Sequence, residues 1–113
     1  MEKENALMDL SFKFALAIIK FTENLEANKK YPLANQLFRS GTSIGANIRE
    51  AQNAESKADF IHKVKVAAKE AEETEYWLML CKHSENYPED QTLIDQVVVL
   101  KKIMSKILSN ARK

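Results

Sequence analysis

Apolar residues recur along the chain in four segments, and within each segment they are spaced three and four residues apart. This spacing returns side chains to one face of an α-helix, so each segment is predicted to be an amphipathic helix. Short polar connections separate the segments. Four such helices with short connections predict an all-α fold, an antiparallel up-down-up-down four-helix bundle, with residues 1–113 as a single domain.

The first predicted helix, roughly Glu4 to Ala27, carries two apolar stripes. The stripe assigned to the core comprises Leu7, Leu10, Phe14, Ala17, Phe21 and Leu25. The second stripe comprises Met8, Phe12, Ala15, Ile19 and Thr22. A helix in an isolated bundle needs only one apolar face. The second stripe is therefore predicted to be covered by another subunit, and we expect the oligomer interface at Met8, Phe12, Ala15 and Ile19.

The second predicted helix, Pro32 to about Asn53, contains both glycines of the chain, Gly41 and Gly45. The apolar spacing continues through them, which predicts an uninterrupted helix. A phosphate-binding loop would need a preceding strand and a lysine followed by serine or threonine, and neither occurs here. The small residues are interpreted instead as a seam of close helix packing, formed by Ser40, Gly41, Ser43, Gly45 and Ala46.

The third and fourth segments carry heptad spacing. Ser56 is predicted to cap the third helix, with Asp59 as its capping-box partner. The apolar seam of this helix comprises Phe60, Val64, Ala67, Ala71, Thr74, Leu78 and Cys81. Pro88 is predicted to start the fourth helix, whose seam comprises Leu93, Val97, Leu100, Met104, Ile107 and Ala111.

A row of polar residues lies beside the apolar stripe of the second helix, namely Arg39, Ser43, Asn47 and Glu50. If the following turn is centred near residues 54 and 55, Arg39 faces Glu70 and Glu73, and Asn47 lies near His62. One interpretation is an interhelical polar seam that fixes the helix register. A functional pocket is the alternative that these residues leave open.

The charge of the chain is unevenly distributed, although its net value is only +1. Residues 2–9, 49–65 and 101–113 meet at one end of the predicted bundle and carry net +4, whereas the remainder carries −3. One reading is helix-dipole complementarity with a solvated tail. The other is a nucleic-acid contact. Its candidate residues are Lys57, Lys63, Lys65, Lys101, Lys102, Lys106, Arg112 and Lys113.

Catalytic and metal-binding patterns are weak in this sequence. Di-metal bundles use Glu-x-x-His pairs, and none occurs. We therefore expect no catalytic residue, no metal and no cofactor, and interpret Cys81 as a core residue. The first ten residues lack the order of a secretory signal, and no apolar run approaches the length of a membrane span. The expected location is cytoplasmic, without a membrane partner.

The stretch "LFRSGTSIGANIREAQNAESKADFIHKVKVAAKEAEETEYWL", residues 37–78, resembles the signature of a bacterial four-helix-bundle family called S23 or intervening-sequence proteins. Members of this family are similar to open reading frames within insertions in large-subunit ribosomal RNA genes. They are also similar to the accessory variability determinant proteins of diversity-generating retroelements. The sequence departs from many relatives at Ala51, where they have glycine. The matching positions are Arg39, Ser40, Ser43, Ile44, Asn47, Ile48, Glu50 and the run Glu73 to Leu78.

The resemblance implies a homopentamer arranged as a ring or short barrel. In the retroelement branch it also implies binding of nucleic acid and of a reverse transcriptase, and it implies no enzymatic activity. We therefore expect a non-enzymatic homo-oligomeric adaptor that binds nucleic acid, RNA or DNA, or a partner protein. The alternatives are a protein-only assembly scaffold and a small metal-dependent bundle enzyme.

Overall fold

The computed structural model describes residues 2–111, with side chains from residue 6 onwards. This range forms four helices: α1 (Glu2–Ala27), α2 (Tyr31–Ala51), α3 (Lys57–His83) and α4 (Gln91–Ala111). Each helix packs against the next and α4 returns to α1, whereas within this range the diagonal pairs do not meet. Since the connections are short, consecutive helices are antiparallel. The predicted up-down-up-down four-helix bundle is confirmed, with extents of 46 × 20 × 19 Å.

All four helices contribute to the core. The heptad seams of α3 and α4 are buried as predicted except for Phe60 and Ala111, which are partly buried. On α1 the predicted core stripe needs a correction. Leu10 is 39% exposed and Ala17 is only partly buried, while Ile18 and Ser11 are buried in their place. The core face of α1 is therefore turned slightly from the predicted stripe. Its buried members are Leu7, Ser11, Phe14, Ile18, Phe21, Thr22 and Leu25.

The starts of α3 and α4 are set by capping side chains. At α3 the Ser56 hydroxyl accepts a hydrogen bond from the Asp59 N–H at 3.0 Å, as predicted. The Asp59 carboxylate accepts from the Glu55 N–H at 3.1 Å. The prediction that α4 starts at Pro88 is wrong, because the helix begins at Gln91. Asp90 is the better cap, and its carboxylate accepts from the Leu93 N–H at 3.0 Å.

The α1–α2 connection is a Schellman turn built without glycine. The Lys30 N–H donates to the Leu25 carbonyl at 2.8 Å, and the Lys29 N–H donates to the Glu26 carbonyl at 2.9 Å. Lys29 adopts a left-handed conformation with φ 61°. This conformation is unfavourable for a residue with a Cβ atom, so the turn keeps its geometry at some cost in stability.

Both glycines lie inside the continuous helix α2, as predicted, and both face α1. A Cβ atom on Gly45 would lie 3.2 Å from the backbone oxygen of Ser11. The space beside Gly41 is filled by Ile18. The absence of these two Cβ atoms lets α1 and α2 approach closely, which offsets the helix-weakening effect of glycine.

On its opposite flank α2 contacts α3 through two buried hydroxyl groups. Ser40 Oγ and Thr74 Oγ1 are 2.9 Å apart, and Thr74 Oγ1 is 2.7 Å from the Glu70 carbonyl oxygen. When Thr74 donates to this carbonyl, Ser40 donates to Thr74, and both hydroxyls are satisfied. The pair therefore fixes the register of α2 on α3 without leaving an unpaired polar group in the core.

Candidate functional site

An apolar surface runs along the contact between α1 and α2 and remains open to solvent. We refer to it as the α1–α2 surface. Phe12, Leu16 and Phe38 are 55%, 53% and 50% exposed. The other predicted interface residues, Met8, Ala15 and Ile19, are partly buried beside them. The residues of this surface that line its cavities are Met8, Phe12, Ala15, Ile19, Phe38 and Ala46. Leu16 lies one turn after Phe12 on α1 and extends the set.

Two shallow cavities lie on the α1–α2 surface. The first has a volume of about 190 Å³, and Gly45 and Thr42 of α2 contribute to its lining beside Phe12. The second, about 360 Å³, lies between Ile19 and Phe38. The structure thus brings the four predicted interface residues onto one surface. Sequence reasoning missed Leu16 and Phe38 because each lies outside the apolar stripe of its own helix. Both are large apolar residues at positions predicted to face solvent, and this was the signal that could have identified them.

The two ends of the α1–α2 surface differ in charge. Arg49 lines the cavity beside Met8, whereas Glu23 and Glu26 line the cavity beside Phe38. The surface therefore has a basic side chain at one end and two acidic side chains at the other.

A second apolar groove, the α1–α4 groove, lies on the other flank of α1. Its apolar lining consists of Leu10 and Phe14 of α1 with Val99 and Leu100 of α4, and its volume is about 330 Å³. Leu10 and Val99 are 39% and 48% exposed. The polar residues at the rim include Lys13 and Asp95. Sequence reasoning missed this groove because it assigned Leu10 to the core.

The structure brings Arg39 of α2 together with two carboxylates of α3. The guanidinium donates to Glu70 Oε2 at 2.9 Å and also to Glu73. The hydrogen bond to Glu73 raises the pKa of Arg39, with the negative charge of Glu70 contributing in the same direction. Trp77 Nε1 donates to the same Glu73 carboxylate at 3.2 Å. Arg39 and Trp77 are thus linked through one acidic side chain.

Ser43 and Asn47, in the middle of the predicted polar seam, donate hydrogen bonds within α2 rather than to α3. Ser43 Oγ donates to the Arg39 carbonyl at 2.5 Å, and Asn47 Nδ2 donates to the Ser43 carbonyl at 2.9 Å. Within the described residues Asn47 makes no hydrogen bond to His62. Short polar side chains on a helix readily bond to the carbonyl one turn earlier, which removes the need for a partner across the interface. At the end of the row, Glu50 pairs with Lys63 at 3.0 Å.

The predicted nucleic-acid contacts are not gathered at one end of the bundle. Lys101 lies in the middle of α4, where it pairs with Glu72 at 2.9 Å and Glu75 at 2.6 Å. Hydrogen bonding, first to Glu75, raises the pKa of Lys101, and hydrogen bonding to Glu50 raises that of Lys63. Lys57, Lys65, Lys102 and Lys106 are exposed. Arg112 and Lys113 lie outside the described residues.

Among residues 6–111, whose side chains the structure describes, no group of three or more His, Cys, Asp and Glu side chains is placed to hold a metal ion. No helix there combines the length and apolarity of a membrane span. Cys81 is buried, and burial raises the pKa of its thiol to about 11. Such a thiol is almost entirely protonated at neutral pH and therefore a poor nucleophile.

Comparisons with known proteins agree with this architecture. Residues 3–106 match the sequence profile of the 23S rRNA-intervening sequence proteins. The fold is similar to the crystal structure, at 1.70 Å resolution, of a protein of unknown function from the S23 ribosomal protein family of Bacteroides thetaiotaomicron VPI-5482. That likeness has a TM-score of 0.89 at 41% identity, and covers 95% of this chain and 98% of the other. Among curated proteins no sequence matches significantly. The chain belongs to the 23S rRNA-intervening sequence protein family.

Proposed function

We propose that the protein is a non-enzymatic bundle that self-associates into a cyclic homo-oligomer, most simply a pentamer, and acts as an adaptor for nucleic acid or a partner protein. The observation that carries the proposal is the α1–α2 surface, where Phe12, Leu16 and Phe38 are each about half exposed. Phe12 and Phe38 line separate cavities of this surface, and apolar side chains exposed along one side of a domain are typical of an association surface.

Burial of these three side chains would stabilise an assembly. Full burial of a large apolar side chain contributes about 1.5 to 3 kcal/mol, so covering the exposed halves of three contributes about 2 to 5 kcal/mol. This gain is one part of what a subunit contact needs, because association also costs translational and rotational freedom. The partly buried Met8, Ala15 and Ile19 and the α1–α4 groove supply further apolar area.

The positions of the two apolar surfaces favour a head-to-tail contact. The α1–α2 surface and the α1–α4 groove lie on opposite flanks of α1 and differ in shape and lining. Contact between unlike surfaces leaves one free surface at each end of a chain of subunits, and such a chain closes into a ring when the rotation allows. The five-fold number is the expectation from the family resemblance.

The adaptor role is supported by the exposed lysines of α3 and α4. A protein-only scaffold is the second candidate, supported by the ion pairing of Lys63 and Lys101, which reduces the free positive charge. A metal-dependent bundle enzyme is the least supported reading. Elemental analysis of purified protein for stoichiometric metal tests that alternative.

Mixing two interface variants tests the head-to-tail assembly. Phe12→Glu disrupts the α1–α2 surface, Val99→Glu disrupts the α1–α4 groove, and each variant alone should be a monomer of about 12.9 kDa by light scattering. A one-to-one mixture should give a dimer and no larger species, because only one intact surface of each kind is left. The matched control is Tyr76→Glu on α3, which introduces the same charge at a 58% exposed aromatic and should keep the wild-type mass.

Two results would contradict the proposal. If the wild-type protein is monomeric at micromolar concentration, the proposed self-association is wrong. If Val99→Glu keeps the wild-type mass while Phe12→Glu is monomeric, the contact joins two identical surfaces rather than unlike ones, and the head-to-tail ring is wrong.

A further inference from the structure

Two pairs of lysines flank the groove between α3 and α4. Lys69 of α3 and Lys102 of α4 line this groove, whose volume is about 510 Å³. Lys65 lies one turn before Lys69, and Lys106 lies one turn after Lys102. Because α3 and α4 are antiparallel, the step from Lys69 back to Lys65 and the step from Lys102 on to Lys106 run in the same direction along the bundle. The four lysines therefore occupy two successive turns, with Lys69 and Lys102 in the groove lining and Lys65 and Lys106 one turn beyond them.

The positive charge of these lysines is available to a partner. All four are exposed, and within the described residues none has a carboxylate at ion-pair distance. Glu72 also lines the groove, but Lys101 pairs with it at 2.9 Å. Lys101 also pairs with Glu75, so these three residues together carry one negative charge. With the four exposed lysines, the groove and its surroundings keep a net charge of +3. Sequence reasoning included Lys101 and missed Lys69, because the pairing depends on how α3 and α4 are aligned.

We propose that this α3–α4 lysine groove binds the phosphate backbone of double-stranded nucleic acid. The inference rests on the proposed adaptor function and identifies both the partner class and its site. Lysine ammonium groups are point charges suited to phosphate, and neighbours four residues apart on a helix have Cβ atoms about 6 Å apart. A row of phosphates presents repeated charge to such a row of lysines, without requiring a particular base sequence.

The composition of the groove lining favours a duplex over a single strand. Single-stranded nucleic acid is held largely by aromatic side chains on which the bases stack. No aromatic residue is among the described residues that line this groove; its apolar members are Ala68, Val98 and Leu108. Tyr76, the exposed aromatic of α3, lies nearly two helical turns beyond Lys69. A duplex, which keeps its bases stacked internally, needs only the backbone contacts that the groove offers.

The position of the groove is compatible with the proposed assembly. The α3 helix is diagonal to α1, which takes part in both proposed subunit contacts, whereas α4 contributes Val99 to one of them. An assembly through α1 therefore leaves Lys65 and Lys69 accessible and repeats them in every subunit. Several weak contacts on one duplex then act together, which raises the affinity above that of a single groove.

Salt dependence of binding tests the inference. The probe is a fluorescent RNA duplex of about 20 base pairs and mixed sequence, titrated with wild-type protein at several salt concentrations. The variants are Lys65→Gln with Lys69→Gln on α3, and Lys102→Gln with Lys106→Gln on α4. The control is Lys20→Gln with Lys29→Gln, two exposed lysines that make the same change in net charge away from the groove.

The expected result is that log Kobs falls linearly with log salt for the wild type. Each groove variant should lower the magnitude of this slope by about 2 per bound subunit, since each lost phosphate contact removes about 1. The control should change it by much less. A single-stranded RNA of the same length should bind more weakly than the duplex.

Each opposite result overturns the inference in a distinguishable way. Absence of duplex binding rejects it outright, and equal effects of the groove and control variants place the contact elsewhere. If polyglutamate displaces the labelled duplex as well as unlabelled duplex does at the same concentration of negative charge, the groove binds any polyanion and is not specific for nucleic acid. Light scattering on the same samples reports assembly separately, so loss of binding at unchanged mass contradicts this inference and leaves the proposed self-association intact.

Discussion

A Cβ atom added to Gly41 of α2 would lie 2.8 Å from both Cγ1 and Cγ2 of Ile18 on α1. Ile18 is fully buried and branched at Cβ, so its side chain has little freedom to move away. This contact explains why a glycine is kept in the middle of a helix, where alanine would otherwise be preferred by about 1 kcal/mol.

We therefore predict that Gly41→Ala destabilises the protein by about 1 to 3 kcal/mol through overpacking. The measurement is the free energy of unfolding from a denaturant titration. In an Ile18→Ala background the same Gly41→Ala change should become neutral or stabilising, because the clash is gone and the gain in helix propensity remains. An equal destabilisation in both backgrounds would show that Ile18 is not the cause.

At the α1–α2 connection, Lys29→Gly should stabilise the protein. Glycine adopts the observed φ of 61° without a Cβ penalty, although it loses more backbone entropy on folding. The net gain is expected to be up to about 1 kcal/mol. Thermal unfolding of the variant against Lys29→Ala, which keeps the Cβ atom, checks this, and equal midpoints for the two variants would contradict it.

Buried Cys81 should make stability fall at alkaline pH. Its folded pKa is raised to about 11 from an ordinary value of 9.0, so above pH 9 the unfolded chain releases a proton that the folded chain retains. Stability from this group is complete below pH 9 and is lost as the pH rises through 9 to 11. Relative to Cys81→Ala, the wild type should lose about 1 kcal/mol between pH 8 and pH 10. Parallel pH profiles for the two proteins would contradict the prediction.

The Arg39 ion pairs are partly exposed and should contribute modestly. Arg39→Gln is expected to lower the free energy of unfolding by up to about 1 kcal/mol at low salt, and by less at high salt, because water and ions screen the pairs. The same substitution at Arg49, for which no ion pair is found within the described residues, serves as the control. A loss at Arg39 that does not depend on salt would indicate packing of the side-chain stem rather than charge.

The fold followed from the sequence because burial in a bundle is periodic. Val64, Ala71 and Leu78 lie one heptad apart and all are buried, so the side of α3 that faces the core was predictable from the sequence. On α1 the apolar residues cover well over half of the circumference, so spacing alone did not distinguish Leu10, which is exposed, from Ile18, which is buried. The start of α4 was misplaced for a different reason: Pro88 is a common first-turn residue, but the capping carboxylate of Asp90 determined the boundary.

The candidate surfaces were predictable to a smaller extent. Phe12 was identified because an excess of apolar residues on one helix is visible in the sequence. The α1–α4 groove and the lysine groove each join residues of two helices, and their composition depends on an alignment that the sequence does not specify. The pairing of Lys101 with Glu75 is an example, since it removes one lysine from the candidate contacts and can be recognised only once α3 and α4 are placed together.

Trp77 is the single tryptophan of the chain, and its indole N–H donates to Glu73, the carboxylate that also binds Arg39. The intrinsic fluorescence of the protein therefore originates beside the α2–α3 contact, far from the side of the bundle where α1 meets α4. If α1 or α4 separates before α2 and α3 come apart, the emission will follow the α2–α3 contact, whereas circular dichroism will follow all four helices. A difference between the two transitions would then reveal an intermediate in which α1 or α4 has left the bundle.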